Sequence, residues 1–234
     1  MPNRRQLVWL FDLDNTLHDA SHAIFPAINR NMNALIARVL ASERKPAHPD
    51  AVDEVRIAYW QRYGATLLGM MRHHAVRSEE FLREAHQFDN LSQMIRAERG
   101  SARLLRRLPG RKILLTNAPA SYAHAVLRHL GLHRHFADHL PIESMMVHRQ
   151  LRPKPSRQLL RRVLAREGIS PRRCVLVEDS LENLKSAKSL GMRTVWFTGY
   201  LRQRAARPGF VDLQVKSLGQ LPRRLQALGT DPAA

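Results

Sequence analysis

The sequence predicts an α/β fold in which helices cover a parallel β-sheet. Short runs of β-branched, aromatic and apolar residues recur at 7–11, 112–115, 174–177 and 194–197. Segments whose apolar residues follow helical spacing separate these runs, and strands that alternate with helices form parallel sheets with crossover connections. A chain of 234 residues is also long enough for one buried core and a smaller appended unit.

The interval between the first and second strand runs is far longer than one crossover connection needs. Apolar residues repeat at helical spacing in two of its segments. In a third, "RSEEFLREAHQF", Ser78 and the two glutamates that follow it favour a helix start. We therefore expect a discontinuous, Rossmann-like core formed by residues 1–18 and 96–234. Residues 19–95 are predicted to form an inserted helical cap domain.

Three amphipathic helices are predicted within the core. Each has apolar residues on one face and is followed by glycine at 131, 168 or 191, and the second has a candidate N-cap at Ser156. One apolar face suits a helix that packs on a sheet. We expect the last six residues, "GTDPAA", to fray.

The formal net charge of +18 raises the question of nucleic-acid binding. The basic residues occur mostly singly or in pairs, and only six of the 38 are lysine, which indicates an arginine-rich composition. Because no basic run or nucleic-acid module is present, dedicated nucleic-acid binding is not expected. A general positive field would still attract small anionic substrates.

Hydropathy and cysteine content favour a soluble, cytoplasmic protein without a membrane partner. No apolar stretch reaches the roughly 18 residues that a membrane span requires. The first apolar run ends on acids without the small-residue cleavage site of a secretory signal. Cys174 is the single cysteine, so no intramolecular disulfide can form.

Polar side chains follow three of the predicted strands. Acidic residues are uncommon in strands and costly to bury unpaired, so carboxylates at a strand end require a cation or a chemical role. Parallel strands present their carboxyl ends at one edge of the sheet, where ligands bind. The residues concerned are Asp12, Asp14 and Thr16 after the first run, Thr116 and Asn117 after the second, and Glu178 and Asp179 after the third.

The motifs "DLDNT", "LLTN", the lysine of "RPKP" and "VEDS" occur in this order. Together they resemble the four motifs of the haloacid dehalogenase-like hydrolases, and the helical insertion resembles that of the small-cap members. Within that family the chain looks most like the pyrimidine 5′-nucleotidases, through "YWQRYGATLLGM", "LLTNAP" and "VEDSLENLKSAKSLGM". The resemblance implies a Mg²⁺-dependent phosphomonoesterase that hydrolyses small phosphorylated metabolites, with pyrimidine nucleoside 5′-monophosphates preferred.

Phosphate-ester hydrolysis needs a nucleophile, a proton donor for the leaving alkoxide and positive charge beside the phosphoryl oxygens. We expect Asp12 to form an aspartyl-phosphate and Asp14, on the same side of an ideal strand, to act as general acid and base. Lys154 would screen the repulsion between Asp12 and the substrate. Thr116 and the amide groups near Asn117 would hold phosphoryl oxygens together with Lys154.

A magnesium site is expected at the same strand ends, because Mg²⁺ prefers oxygen ligands. Asp12 and Asp179 are candidate ligands, and the resemblance adds the backbone carbonyl of Asp14. Glu178 is expected to contribute through a metal-bound water. In the cap, Tyr63 either contacts the substrate base or packs between cap helices.

Structural alternatives exist for several of these residues. Thr116 and Asn117 could cap the helix that Pro119 helps to start. Lys154 could be a solvated loop residue, and Asp179 could be the N-cap of the helix that follows it.

Three other functions also remain open. The chain could be a phosphatase for another small metabolite such as phosphoglycolate, or a phosphosugar mutase of the same superfamily. A basic nucleic-acid-binding or phosphate-binding protein without enzymatic activity is the third alternative.

Overall fold

The computed structural model describes residues 7–201 and 206–228, and the C-terminal tail predicted to fray lies outside these ranges. The chain divides into two compact units. The first consists of Met1–Asp19 and Arg96–Ala234, and the second of Ala20–Ile95. The roles of catalytic core and cap, which the sequence predicts for the corresponding segments, stay predictions.

The first unit contains a six-stranded parallel sheet in the order β3-β2-β1-β6-β7-β8, and a separate antiparallel hairpin, β4-β5. This sheet with its helices confirms the predicted α/β, Rossmann-like fold. The strands are β1 (Val8–Phe11), β2 (Arg111–Leu115), β3 (Asp138–Leu140), β4 (Met146–Val147), β5 (Gln150–Leu151), β6 (Cys174–Glu178), β7 (Arg193–Phe197) and β8 (Leu213–Val215).

Helices make up most of the remaining regular structure. The second unit contains α1 (Ile24–Ser42), α2 (Pro49–Tyr63), α3 (Thr66–His73), α4 (Ser78–Ala85) and α5 (Leu91–Met94). The first unit contains α6 (Ser101–Arg107), α7 (Ala120–His129), α8 (Arg157–Glu167) and α9 (Leu181–Lys188). None of the helices in the described ranges is both long and apolar enough to cross a bilayer.

The central strand, β1, is buried on both faces, which explains why its sequence is apolar throughout rather than alternating. Val8 and Leu10 belong to a core cluster that includes apolar residues of α8 and α9. Trp9 and Phe11 stack on each other with ring centres 6.1 Å apart. Because successive strand residues point to opposite faces, these aromatic rings lie on the other side of the sheet.

The three helices predicted in the core correspond to α7, α8 and α9. Ser156 caps α8 as expected, since its hydroxyl accepts a hydrogen bond from the Leu159 amide at 3.2 Å. Gly168 ends the same helix with a left-handed φ of 63°.

Candidate active site

The carboxyl ends of β2, β1 and β6 lie side by side and bring the predicted site residues together. Phe11 of β1 pairs in register with Leu114 on one side and Val177 on the other. Asp12 follows immediately, and its amide donates a 3.0 Å hydrogen bond to the Val177 carbonyl. By this register Asp12 is level with Glu178, and Thr116 lies one residue beyond that level at the same sheet edge.

Lys154 is the cation at this edge. Its ammonium lies 2.6 Å from Asp12 Oδ1 and 2.8 Å from Glu178 Oε2, and its side chain is 3% exposed. The alternative of a solvated loop lysine is therefore wrong. Burial opposes the charge on Lys154, but Asp12 and Glu178 more than offset this and raise its pKa above the ordinary value.

The side chain of Asn117 is hydrogen-bonded to the backbone of the segment that carries Lys154. Its carbonyl oxygen accepts from the Lys154 amide at 2.9 Å, and its side-chain amide donates to the Lys154 carbonyl at 3.0 Å. These two bonds use both ends of the Asn117 side chain. Asn117 was predicted as a substrate-binding residue, and its side-chain contacts indicate that it also positions Lys154.

Asp12 is buried, and each of its carboxylate oxygens has a hydrogen-bond partner. Oδ1 faces Lys154, and Oδ2 accepts a 3.0 Å hydrogen bond from the Thr16 hydroxyl. Burial and the neighbouring charge of Glu178 raise the pKa of Asp12 to about 7, although Lys154 acts in the opposite direction.

Asp12, Glu178 and Asp179 form a carboxylate cluster whose possible ligand oxygens all lie within 4.8 Å of one another. Burial, followed by the charges of Glu178 and Asp12, raises the pKa of Asp179 to about 9. Three ionised carboxylates would exceed the single positive charge of Lys154, so the cluster needs further positive charge to ionise fully. Crowded oxygen donors of this kind fit a divalent cation such as Mg²⁺.

The second carboxylate of the "DLDNT" motif has two partners that the sequence analysis missed. Tyr122 Oη donates a 2.6 Å hydrogen bond to Asp14 Oδ1, and His18 Nε2 lies 2.9 Å from the same oxygen. His18 lies two residues after the "DLDNT" motif, so its spacing of four residues from Asp14 was the available signal. Tyr122 gave none, because it occupies a buried position of an amphipathic helix.

Residues 8–191 match the family model of the haloacid dehalogenase-like hydrolases. The chain belongs to this family. It is therefore a hydrolase, as the four motifs and their meeting point at one sheet edge led us to expect.

Solved structures of both phosphatases and dehalogenases share the fold of this haloacid dehalogenase-like hydrolase. A phosphatase from Thermococcus onnurineus is 18% identical over 94% of this chain and 98% of its own, with a TM-score of 0.64. A 2-haloacid dehalogenase from Pseudomonas syringae pv. tomato is 21% identical over 94% and 98%, with a TM-score of 0.57. A family hydrolase from Bacillus subtilis, bound to magnesium, is 17% identical over 95% and 99%, with a TM-score of 0.56.

Other residues occupy the cap positions of the two helices for which Thr116, Asn117 and Asp179 were alternative caps. Pro119 is the N-cap of α7, and the Glu143 carboxylate accepts from the Ala120 amide at 3.0 and 3.1 Å. Thr116 instead accepts a 3.1 Å bond from the Ala118 amide. Ser180, rather than Asp179, is the N-cap of α9. The side chains of Thr116 and Asp179 are therefore not needed as caps.

Tyr63 belongs to the second unit, at the end of α2. Its hydroxyl lies 2.6 Å from His73 Nε2, and the guanidinium groups of Arg62 and Arg72 lie 5.5 and 5.9 Å from its ring centre. Tyr63 thus has partners of its own within this unit, and its contact with substrate stays a prediction.

Proposed function

We propose that this hydrolase is a Mg²⁺-dependent phosphomonoesterase that works through an aspartyl-phosphate. The observation that carries the proposal is the arrangement of Asp12, whose buried carboxylate contacts Lys154 beside a second carboxylate, Asp14. A nucleophile, a cation and a proton donor are the three groups that phosphate-ester hydrolysis requires.

In the proposed first step, a carboxylate oxygen of Asp12 attacks phosphorus, and the bond from phosphorus to the alcohol oxygen breaks. That oxygen takes a proton from Asp14 and leaves as the alcohol. In the second step Asp14 removes a proton from water, and the water oxygen attacks the phosphorus of the aspartyl-phosphate. Inorganic phosphate leaves, and Asp12 is restored as a carboxylate while Asp14 is again protonated.

Lys154 and Thr116 are assigned to the phosphoryl oxygens, while Asp12, Asp179 and the backbone carbonyl of Asp14 are assigned to Mg²⁺, with Glu178 acting through a water. When bound, the ion would neutralise the carboxylate cluster and polarise the phosphoryl group. The carboxylate cluster and the magnesium in the Bacillus subtilis structure support this assignment.

Dehalogenation is the competing reaction within the family. A halide leaves carbon as a stable anion and needs no proton, so that reaction has no use for an acid at Asp14. It also develops no phosphoryl charge for a divalent cation to offset. The second carboxylate and the metal-compatible cluster therefore favour phosphoryl chemistry.

Within phosphomonoesters, we infer a preference for pyrimidine nucleoside 5′-monophosphates. The support is the resemblance of "YWQRYGATLLGM" in α2 and α3 to pyrimidine 5′-nucleotidases. Tyr63 lies in this stretch and is the residue proposed to contact the base.

A substrate panel with and without metal tests the reaction class. Phosphate release would be measured from UMP, AMP, phosphoglycolate, glucose phosphates and p-nitrophenyl phosphate, and chloride release from 2-chloropropionate. We expect phosphate release that stops in EDTA and returns with Mg²⁺. Chloride release without phosphate release would establish a dehalogenase instead, and full activity in EDTA would reject the metal.

The same panel, together with a nucleic-acid binding measurement at several salt concentrations, separates the mutase and the non-enzymatic alternatives. Interconversion of glucose phosphates without net phosphate release would indicate a mutase. Binding to nucleic acid that falls steeply with salt, with no turnover of any ester, would indicate the non-enzymatic function.

A further inference from the structure

We propose that Tyr122 and His18 are positioning residues that hold the Asp14 carboxylate in one orientation for proton exchange with the leaving group. This inference rests on the proposed phosphomonoesterase function. It concerns two side chains that the four family motifs quoted above do not contain.

Both contacts meet at a single oxygen of Asp14. Tyr122 Oη is 2.6 Å and His18 Nε2 is 2.9 Å from Oδ1, and the two partners are 3.3 Å from each other. Rotation of the carboxylate would break both hydrogen bonds at once, so the pair fixes the plane of the carboxyl group. We assign the exchanged proton to the other oxygen, Oδ2.

The three residues are brought together by fixed backbone. A bridge between the strand-like backbones of Asp14 and His18 holds these two residues beside each other. Tyr122 is the third residue of α7 (Ala120–His129), whose first amide is anchored by Glu143. The orientation of Asp14 is therefore set by two separate elements of the same unit.

Both partners are buried side chains with hydrogen-bond donors. Tyr122 is buried, and its hydroxyl donates its single proton to Asp14 Oδ1. His18 Nδ1 is buried and has no hydrogen-bond partner among the described residues. A proton on that nitrogen would be a buried unpaired donor, so the favoured neutral tautomer carries its proton on Nε2 and donates to Asp14.

The first test uses Tyr122→Phe and two aryl esters of similar size. Phenyl phosphate has a poor leaving group that needs protonation, whereas p-nitrophenyl phosphate has a good one that does not. We expect kcat for phenyl phosphate to fall about 10–100-fold with KM unchanged, since misplaced catalytic groups cost on this scale. We expect kcat for p-nitrophenyl phosphate to fall less than about threefold.

The second test compares His18→Gln with His18→Leu. Glutamine retains an amide donor of similar reach, whereas leucine has none, so we expect glutamine to recover most of the phenyl phosphate activity that leucine loses. This comparison also decides the question if Tyr122→Phe does not fold. Asp14→Asn lacks the proton donor. Its ratio of kcat for p-nitrophenyl phosphate to kcat for phenyl phosphate is therefore the largest that loss of the acid can produce.

Tyr200→Phe is the matched control, because Tyr200 lies in the same unit and its hydroxyl contacts the Glu98 amide rather than the site. Its two kcat values should equal those of the wild type. Equal losses on both esters in Tyr122→Phe, or identical behaviour of the two His18 variants, would overturn the positioning role. Failure of the wild type to hydrolyse either ester with Mg²⁺ would instead reject the proposed function.

Discussion

Asp12 is surrounded by groups that act on its charge in opposite directions. Lys154 and Thr16 hydrogen-bond its two oxygens, whereas Glu178 repels it and burial disfavours its charge. A nucleophile benefits from this balance, because the carboxylate is held in place without being fully neutralised. Removing its charge should therefore affect chemistry more than folding.

We predict that Asp12→Asn abolishes steady-state phosphate release, with a loss of at least about 10⁴-fold, because an amide cannot form the aspartyl-phosphate. The melting temperature should stay within a few degrees of that of the wild type. Phosphate release by a purified, folded variant checks the first statement and calorimetry the second. Asp89→Asn, at an exposed position, controls for handling and charge. Measurable turnover by folded Asp12→Asn would assign the nucleophile elsewhere.

The site residues differ in how well sequence alone could predict their surroundings. Asp12, Glu178 and Lys154 follow from motifs that strand topology brings together. The two hydrogen bonds between the Asn117 side chain and the Lys154 backbone join residues that are 37 positions apart. They depend on where the chain between them returns to the sheet edge. Tyr122 reads as one more buried residue of a sheet-covering helix. Only the tertiary structure shows that Asn117 holds the Lys154 backbone and that Tyr122 contacts Asp14.

At the scale of elements, α2 and α3 in the second unit pack closely at a glycine. A Cβ at Gly69 would lie 2.2 Å from Cγ and 2.5 Å from Cβ of Tyr59. The near end of the tyrosine cannot swing away without moving the α2 backbone. The ring in turn places its hydroxyl 2.7 Å from His74 Nε2.

We predict that Gly69→Ala lowers the free energy of unfolding by about 1–3 kcal/mol, the usual cost of overpacking. Alanine at an open helical position would raise it by about 1 kcal/mol, so the sign alone identifies the clash. Urea unfolding of the wild type and of Gly69→Ala measures the sign and the size of the change in unfolding free energy. In a Tyr59→Ala background the same substitution should become stabilising. Destabilisation of equal size in both backgrounds would show that Tyr59 is not the cause.

Asp212 joins the end of α9 to β7 and the segment before β8. Its carboxylate accepts hydrogen bonds from the Lys188 ammonium and from the amide and hydroxyl of Thr194. Burial raises the pKa of Asp212, but these hydrogen bonds outweigh burial and hold it below the ordinary value. A lowered pKa means that the stabilising contribution is present above the unfolded-state pKa and is lost as pH falls.

We predict that Asp212→Asn melts about 3 °C below the wild type at pH 7, the scale of one hydrogen bond to a charged group. The difference in melting temperature should stay constant down to about pH 5. It should narrow below about pH 4, where the wild-type carboxylate takes up protons. Calorimetry from pH 7 to below about pH 4 measures this difference in melting temperature, and Asp89→Asn is the control. A gap that widens in acid would contradict the assigned sign.

The sequence predicts the longer elements better than the short ones. β1, β2, β6 and β7 have four or five residues each and a buried apolar pattern. β3 and β8 have three residues, too few for a periodicity to emerge. The hairpin of β4 and β5 turns at His148 and Arg149, both with positive φ, rather than at the usual glycine or asparagine. No turn signal could have revealed it.

At the scale of the whole molecule, reaction type and substrate choice depend on different parts of the chain. The four motifs that indicate the reaction all lie in the first unit, whereas "YWQRYGATLLGM", the stretch from which the preference for pyrimidine nucleotides is inferred, lies in the second. Motif residues are predictable because chemistry restricts their types and strand order restricts their positions. A preference among bases depends on shape, which no spacing rule specifies.

We therefore predict that UMP and CMP are hydrolysed with kcat/KM about 10–200-fold above AMP and GMP, the range that steric fit supplies without dedicated hydrogen bonds. Tyr63→Ala should narrow this gap while sparing p-nitrophenyl phosphate, which carries no base. Trp60→Ala is the matched control, since Trp60 lies on the same helix and is 61% exposed. Equal wild-type values for UMP and AMP would reject the pyrimidine preference. An unchanged gap in Tyr63→Ala would reject only the contact assigned to Tyr63, because the reaction itself depends on residues of the first unit.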